Sequence, residues 1–250
     1  MPDLRLVRAE VLKLRRRPGL MAATGLLAFA SAVLYLAVLA VLHAFDPAAH
    51  AGAGGATHFD DAVGILGMAG PVAGVLVGAT AGGADIEAGV FRDLAATGRS
   101  RTALFAARVP GAWAVVVPSL LAGIATSAVL ASALAGPGGG PTAHDVIGGG
   151  AAAIVATMLL CAGSVGLAAL AGSRGMVIGV VLAFQLGVSP LLAEVGALGA
   201  ARHAIPSVAT ARLDGALADE LSLATAILVV LAWGAATLGA GLWRTRTQEI

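Results

Sequence analysis

The stretch AVGILGMAGPVAGVLVGATAGG, residues 62–83, contains no Asp, Glu, Lys or Arg. A helix needs about 20 apolar residues to cross the hydrocarbon core of a bilayer, and this stretch reaches that length. Apolar and polar residues do not alternate along it, and lipid admits only helices or closed barrels, so strands are not indicated. The stretch therefore predicts a transmembrane helix.

The composition extends this prediction to the whole chain. Hydrophobic residues make up 58% of the sequence, charged residues 12%, and the net charge of +1 gives no indication of nucleic-acid binding. Soluble domains carry about 25% charged residues. We expect a single all-α transmembrane domain over residues 1–250. Six apolar runs are candidate spans: 20–45, 62–83, 109–136, 146–172, 175–193 and 221–243.

The basic residues predict the orientation. With six crossings both termini share one side, and that side holds thirteen of the fifteen Lys and Arg residues, whereas Arg202 and Arg212 fall on the other. Cytoplasmic segments carry the excess of Lys and Arg. We therefore expect a multi-pass protein of the plasma (inner) membrane with both termini in the cytoplasm.

Residues 4–17, LRLVRAEVLKLRRR, are amphipathic at the helical period. Basic residues that include Arg8 and Arg15 cover much of the remaining arc, and Pro18 is expected to end the helix. The pattern is typical of a helix in the membrane interface, in contact with lipid headgroups. A topology signal without helical structure is the alternative. The apolar stripe consists of Leu4, Val7, Val11 and Leu14.

A dense polar segment, DIEAGVFRDLAATGRSR (85–101), separates the second and third apolar runs. Residues 86–98 predict a short helix with an apolar strip of Ile86, Val90 and Leu94. Phe91 is a further candidate for this strip, and Gly98 suits the C-terminal cap of the helix. Such a helix at the membrane surface could dock into a groove of another protein. A solvated loop that only fixes topology is the other interpretation.

This segment resembles a loop in the membrane-spanning subunits of type-two ATP-binding cassette exporters. The N-terminal amphipathic helix, six spans and a polar outer segment before the last span are similar too, although only the loop is motif-specific. The acidic position varies within that family, and the family often has Pro near Gly98. The resembling residues are Asp85, Glu87, Gly89, Val90, Phe91, Arg92, Leu94, Gly98, Ser100, Arg101, Leu104, Phe105 and Arg108.

The resemblance implies that residues 84–102 hold a coupling helix that fits a groove on a cytoplasmic ATPase. It implies two ATPase copies and a second permease subunit as partners, with ATP and Mg²⁺ bound by the ATPase and no cofactor in this chain. The chain would then be a transport subunit and not an enzyme. The residues expected at the coupling interface are Asp85, Glu87, Gly89, Val90, Arg92, Leu94, Gly98 and Arg101.

The sequence lacks the motif with which a chain could hydrolyse ATP itself. A P-loop requires a Gly-rich turn followed by Gly-Lys, and the only lysine, Lys13, follows no glycine. His50, His58, Asp60 and Asp61 lie in the first outer loop, but polar loop residues are commoner than a metal site, so we expect no metal. Two rival functions remain: a secondary transporter or channel, and a membrane scaffold.

No apolar run carries a charged residue in its middle. A transport path would therefore be lined by small, apolar and hydroxyl groups, which favours a lipophilic or amphipathic substrate. The resemblance implies that this substrate moves out of the cell. Residues 194–220 mix apolar and polar residues, and either short helices that dip toward the membrane or an ordinary loop would fit them. The visible polar candidates for the path are Thr126, Ser127, Ser164 and Gln185.

Overall fold

A computed structural model describes residues 3–96, 98–136, 139–213 and 221–247, and these residues form helices and connecting loops without a strand. Six helices are long and apolar enough to cross a membrane, which makes the chain a multi-pass membrane protein. The helices are α1 (Leu4–Arg15), α2 (Pro18–Phe45), α3 (Ala56–Glu87), α4 (Val90–Ala96), α5 (Arg101–Ala133), α6 (Ala143–Ala171), α7 (Arg174–Ala193), α8 (Pro206–Leu213) and α9 (Leu223–Thr247).

The six predicted spans are confirmed as helices α2, α3, α5, α6, α7 and α9. Several of them extend past the predicted apolar runs. Helix α3 continues to Glu87 and α5 already begins at Arg101, because helical hydrogen bonding does not need to stop where charged residues begin. Polar residues at the ends of these helices therefore belong to the same rigid elements as the apolar runs.

Helix α1 begins at a capped N-terminus. The Asp3 side chain accepts a hydrogen bond from the backbone N–H of Arg5, and that bond holds the pKa of the Asp3 carboxyl below its usual value. The helix ends at Arg15, and Pro18 starts α2, where a residue without an N–H is tolerated. The predicted N-terminal helix thus exists, while its position in a membrane interface stays a prediction.

The apolar stripe of α1 packs partly against the protein. Leu14 is 2% exposed and belongs to the hydrophobic core, and Val11 packs against that core, whereas Leu4 is exposed. Glu10 is buried on the same side of the helix. Helix α1 is therefore docked onto the bundle, mainly through α5.

Helices α3 and α6 pack together at the centre of the bundle through small residues. A Cβ atom built on Gly74 would lie 2.7 Å from the carbonyl oxygen of Thr157, and Cβ atoms on Gly78 and Gly82 would collide with the carbonyls of Cys161 and Val165. Small residues at this spacing allow two membrane helices to approach closely. The repeat of glycine every four residues along α3 is a contact surface within the chain.

The second pair with the same spacing, Gly175 and Gly179 on α7, does not share this role. No atom lies within 4 Å of a Cβ built on either residue. Helix α7 itself changes from α-helical to π-helical over Phe184–Val188, just before Pro190. Proline has no N–H to continue the ladder, which is one cause of such local changes in helical winding.

The segment after α7 forms short helices where the structure describes it. Two short 3-10 helical pieces, separated by a kink at Gly199, occupy Gly196–Ala204. Helix α8 follows and packs against α9. Val208 and Ala209 of α8 are buried. The described residues are helical, as one of the two interpretations expected, while their dip toward the membrane stays a prediction. Residues 214–220 lie outside the described part.

Candidate functional site

Four charged side chains meet where α1, α3 and α5 come together. The Nζ atom of Lys13 lies 2.6 Å from Oε1 of Glu10 and 2.7 Å from Oδ2 of Asp85. Arg108 approaches the same carboxylate, with Nη2 at 3.7 Å from Asp85 Oδ2. We call these four residues the buried charge cluster. Two acidic and two basic groups make it neutral overall.

Arg108 is the most deeply buried member, with 1% of its side chain exposed. Its Nη1 donates a hydrogen bond of 2.9 Å to the carbonyl oxygen of Gly82, and its guanidinium carbon lies 5.1 Å from the centre of the Phe91 ring. Its Nε has no hydrogen-bond partner among the described residues. The aromatic face and the carboxylate together offset the loss of water around the cation.

Burial also changes the protonation of Glu10. Removal of water raises the pKa of the Glu10 carboxyl, and the hydrogen bond and charge of Lys13 only partly oppose this effect. The ionised form is therefore less favourable in the folded protein than in the unfolded chain. Sequence reasoning missed this cluster, although Asp85 and Arg108 flank the apolar runs of α3 and α5, and Glu10 is the only acidic residue among the basic ones of α1.

The sequence predicted one helix over residues 86–98, and this prediction is wrong. Helix α3 continues through Glu87, and the helical conformation is interrupted at Gly89, whose φ is 70°. The separate helix α4 begins at Val90. A positive φ favours glycine, so Gly89 adopts this conformation at little steric cost. Gly98 has φ of 82° and follows α4, in agreement with the predicted cap.

Besides Asp85, three charged residues of the segment are bound within the chain: Glu87, Arg99 and Arg101. Glu87 holds Arg174 at the start of α7, where Oε2 lies 3.1 Å from Nε and Oε1 accepts the backbone N–H at 2.6 Å. Arg99 pairs with Asp3 at 2.9 Å, and Arg101 Nη1 donates to the carbonyl oxygen of Arg246 at 3.3 Å. The segment is thereby tied to α1, α7 and α9.

The apolar residues that pack against the bundle here are not the strip that the sequence predicted. Ile86 belongs to α3 and packs against the core, whereas Phe91 is buried over Arg108. Val90 is 43% exposed and Asp93 is exposed, so these residues point away from the bundle. Leu94 is half-buried, and the side chain of Arg92 lies outside the described part of the structure.

A second feature is a cavity of about 310 Å³ inside the bundle. Its walls come from α3, α6, α7, α8 and α9. Two of the four polar residues predicted for a transport path, Ser164 and Gln185, line it together. Thr126 and Ser127 of α5 do not line the cavity, and Ser127 is buried. No local pattern in the sequence indicated that α8 contributes Ser207 and Thr210 to the same wall.

His58, Asp60 and Asp61 lie in the first turns of α3, at the opposite end of that helix from Asp85 of the buried charge cluster. The Tyr35 hydroxyl donates a 2.8 Å hydrogen bond to Asp61, and His58 Nδ1 lies 3.7 Å from the same carboxylate. No group of three or more potential metal ligands was found in the described ranges. These contacts join α2 to α3 and suggest no chemistry.

No protein-family model matches the sequence, and no curated protein matches it either.

Proposed function

We propose that the chain is the membrane-spanning subunit of an ATP-driven exporter and that α4 is its coupling helix. The observation that carries this proposal is the attachment of α4. A short helix with an exposed outer face is joined at both ends to long apolar helices, and buried and paired charges fix the surrounding segment. This attachment suits a helix that receives force from a partner.

Force applied to α4 has defined routes into the bundle. Phe91 transmits displacement to Arg108 of α5, and the neighbouring Glu87 transmits it to Arg174 at the first residue of α7. The buried charge cluster connects the ends of α3 and α5 to α1. Helices that move as rigid elements around such contacts can switch between two packed arrangements.

In this proposal the end of the bundle that carries α1 and α4 faces the cytoplasm of a plasma (inner) membrane. Two copies of an ATPase bind ATP and Mg²⁺ there, and a second permease subunit completes the transport path. The chain itself performs no covalent chemistry, and nucleic acid has no part. The excess of Lys and Arg at this end supports the orientation.

The outward face of α4 provides the test. Val90→Asp places a charge in the proposed contact with the ATPase, whereas Val90→Thr keeps the shape of the side chain and serves as the matched control. Both variants are purified from native membranes, and the ATPase that accompanies each is identified by its P-loop and measured by Mg-ATP hydrolysis.

We expect equal amounts of inserted protein, with ATPase recovered alongside Val90→Thr but not alongside Val90→Asp. Equal recovery with both variants, or a wild-type chain that brings down no ATPase, would contradict the proposal. The latter result would favour an ATPase-independent transporter, a channel or a scaffold.

A further inference from the structure

We propose that the cavity between α3, α6, α7, α8 and α9 binds one uncharged, lipophilic molecule with a single hydrogen-bonding group, which enters sideways from the membrane. Its use as a substrate site rests on the proposed transport function. Binding itself requires only this chain, so it can be tested without an ATPase.

The composition of the wall excludes a charged ligand. None of the lining residues is Asp, Glu, Lys, Arg or His, and most are apolar. An ion that left water for such a wall would lose its hydration without gaining a counter-charge. The wall therefore selects neutral molecules.

Ser164 and Gln185 are the two polar wall residues left for a ligand, because the hydroxyl of Ser207 is already hydrogen-bonded to that of Ser189. The hydroxyl groups of Thr210 and Thr237 donate to backbone carbonyls of their own helices, and the indole N–H of Trp233 donates to Ala204 at 2.9 Å. By contrast, the Ser164 hydroxyl is buried and has no partner among the described residues.

Gln185 is the second group. Its amide makes no hydrogen bond to any described residue, and it lies in the π-helical turn Phe184–Val188. π-helical turns are rare and frequently occur at functional sites. A buried polar group without a partner, such as the Ser164 hydroxyl, is costly. A ligand that bonds to Ser164 and to the partly exposed Gln185 would therefore be bound with a preferred orientation.

The wall is open toward the surrounding lipid between α7 and α9. Val180 of α7 is 61% exposed and Trp233 of α9 is 48% exposed, yet both also line the cavity. Because these residues belong to membrane-crossing helices, the opening faces hydrocarbon. A volume of about 310 Å³ lies at the lower end of the range for small-molecule sites, so it holds one small ligand.

The test uses decanol that carries a photoreactive diazirine in its chain. The purified chain is reconstituted in phosphatidylcholine vesicles, irradiated with the probe, and the labelled residues are located by mass spectrometry. Decyl sulfate and decyltrimethylammonium with the same diazirine are the charged comparisons. We expect each charged probe to label the cavity wall on α6, α7 and α9 at least about tenfold more weakly than the decanol probe does.

Filling the cavity provides the matched variants. A Cβ on Gly67 or on Gly64 of α3 meets no atom within 4 Å, but only Gly67 lines the cavity. Gly67→Leu should remove the labelling by decanol, and Gly64→Leu should retain it, with both proteins monodisperse. Equal labelling of the two variants would overturn the proposal.

The two unpartnered groups are tested separately. Ser164→Ala and Gln185→Leu should each weaken decanol labelling roughly threefold to tenfold, because each removes about one net hydrogen bond to the ligand. The same experiment with a diazirine on the acyl chain of phosphatidylcholine distinguishes a bilayer lipid. Strong lipid labelling at the cavity that decanol does not displace would show a lipid tail as the occupant and refute the site.

Discussion

At the scale of single residues, the burial of Arg108 makes its counter-charge important for the stability of the bundle. The guanidinium is almost fully buried, and Asp85 is its nearest counter-charge. Removal of one partner of a buried ion pair leaves an uncompensated charge, which destabilises proteins strongly. Asp85→Asn should therefore lower the free energy of unfolding in detergent by about 3 kcal/mol. Asp60→Asn, at an exposed position, is the control and should change it little.

Replacing both partners should restore most of that loss. Arg108→Met removes the buried cation while keeping an unbranched apolar side chain, and Lys13 can still pair with Glu10 in the double variant. We expect Asp85→Asn with Arg108→Met to be more stable than Asp85→Asn alone, with a coupling energy of about 1–3 kcal/mol in a double-mutant cycle. Additive effects would show that Arg108 does not depend on Asp85.

Glu10 gives the charge cluster a dependence on pH. Its pKa is raised in the folded protein by burial, so its contribution to stability is fully present below the unfolded pKa of 4.5 and decreases as pH rises through the folded pKa. Glu10→Gln removes this contribution. The difference in Tm, wild type minus Glu10→Gln, should therefore decrease as pH rises from 4.5 toward neutrality. A difference that is constant or increases would contradict the assignment.

At the scale of elements, the contact between α3 and α6 depends on glycine at positions where another side chain would meet backbone. Backbone atoms cannot move aside like a flexible side chain, so Gly78→Ala must separate the two helices. It should cost about 1–3 kcal/mol of stability. Gly179→Ala, in open space on α7, should be neutral or slightly stabilising because alanine favours helices. Thermal unfolding in detergent compares the two variants, and equal stability would contradict the assigned contact.

The elements also show what the sequence could predict. Long runs without charge predicted all six spans, because the hydrocarbon core demands that length and composition. The ends were less predictable, since α3 and α5 remain helical through residues that looked like loop. Gly89 divides the polar segment, but nothing in the local pattern distinguished a break there from a continuous helix over residues 86–98.

The candidate sites were predicted only in part, for a physical reason. Ser164 and Gln185 were recognisable as polar residues in apolar runs, but their meeting at one cavity depends on how α6 and α7 pack. The buried charge cluster combines residues from three helices far apart in sequence, and no local periodicity indicates such a contact. Likewise, Glu87 was expected to face a partner protein, whereas its pairing with Arg174 is a contact between spans.

At the scale of the whole molecule, the proposed orientation can be tested by thiol labelling. Cys161 is buried, so the native chain should react little with an impermeant maleimide. Ala51→Cys, in the exposed loop between α2 and α3, should be labelled in intact cells. Ala88→Cys, between α3 and α4, should be labelled only after the cells are opened. Labelling of position 88 in intact cells would reverse the orientation.

The most direct measurement for the central claim is site-specific photocross-linking from α4. A benzophenone amino acid at Asp93, whose side chain is exposed, is compared with the same amino acid at Ala51 at the opposite end of the bundle. In native membranes the Asp93 probe should form a covalent product with a P-loop ATPase, and the Ala51 probe should not. An Asp93 probe that captures only lipid or water while the protein remains inserted would contradict the assignment of α4 as a coupling helix.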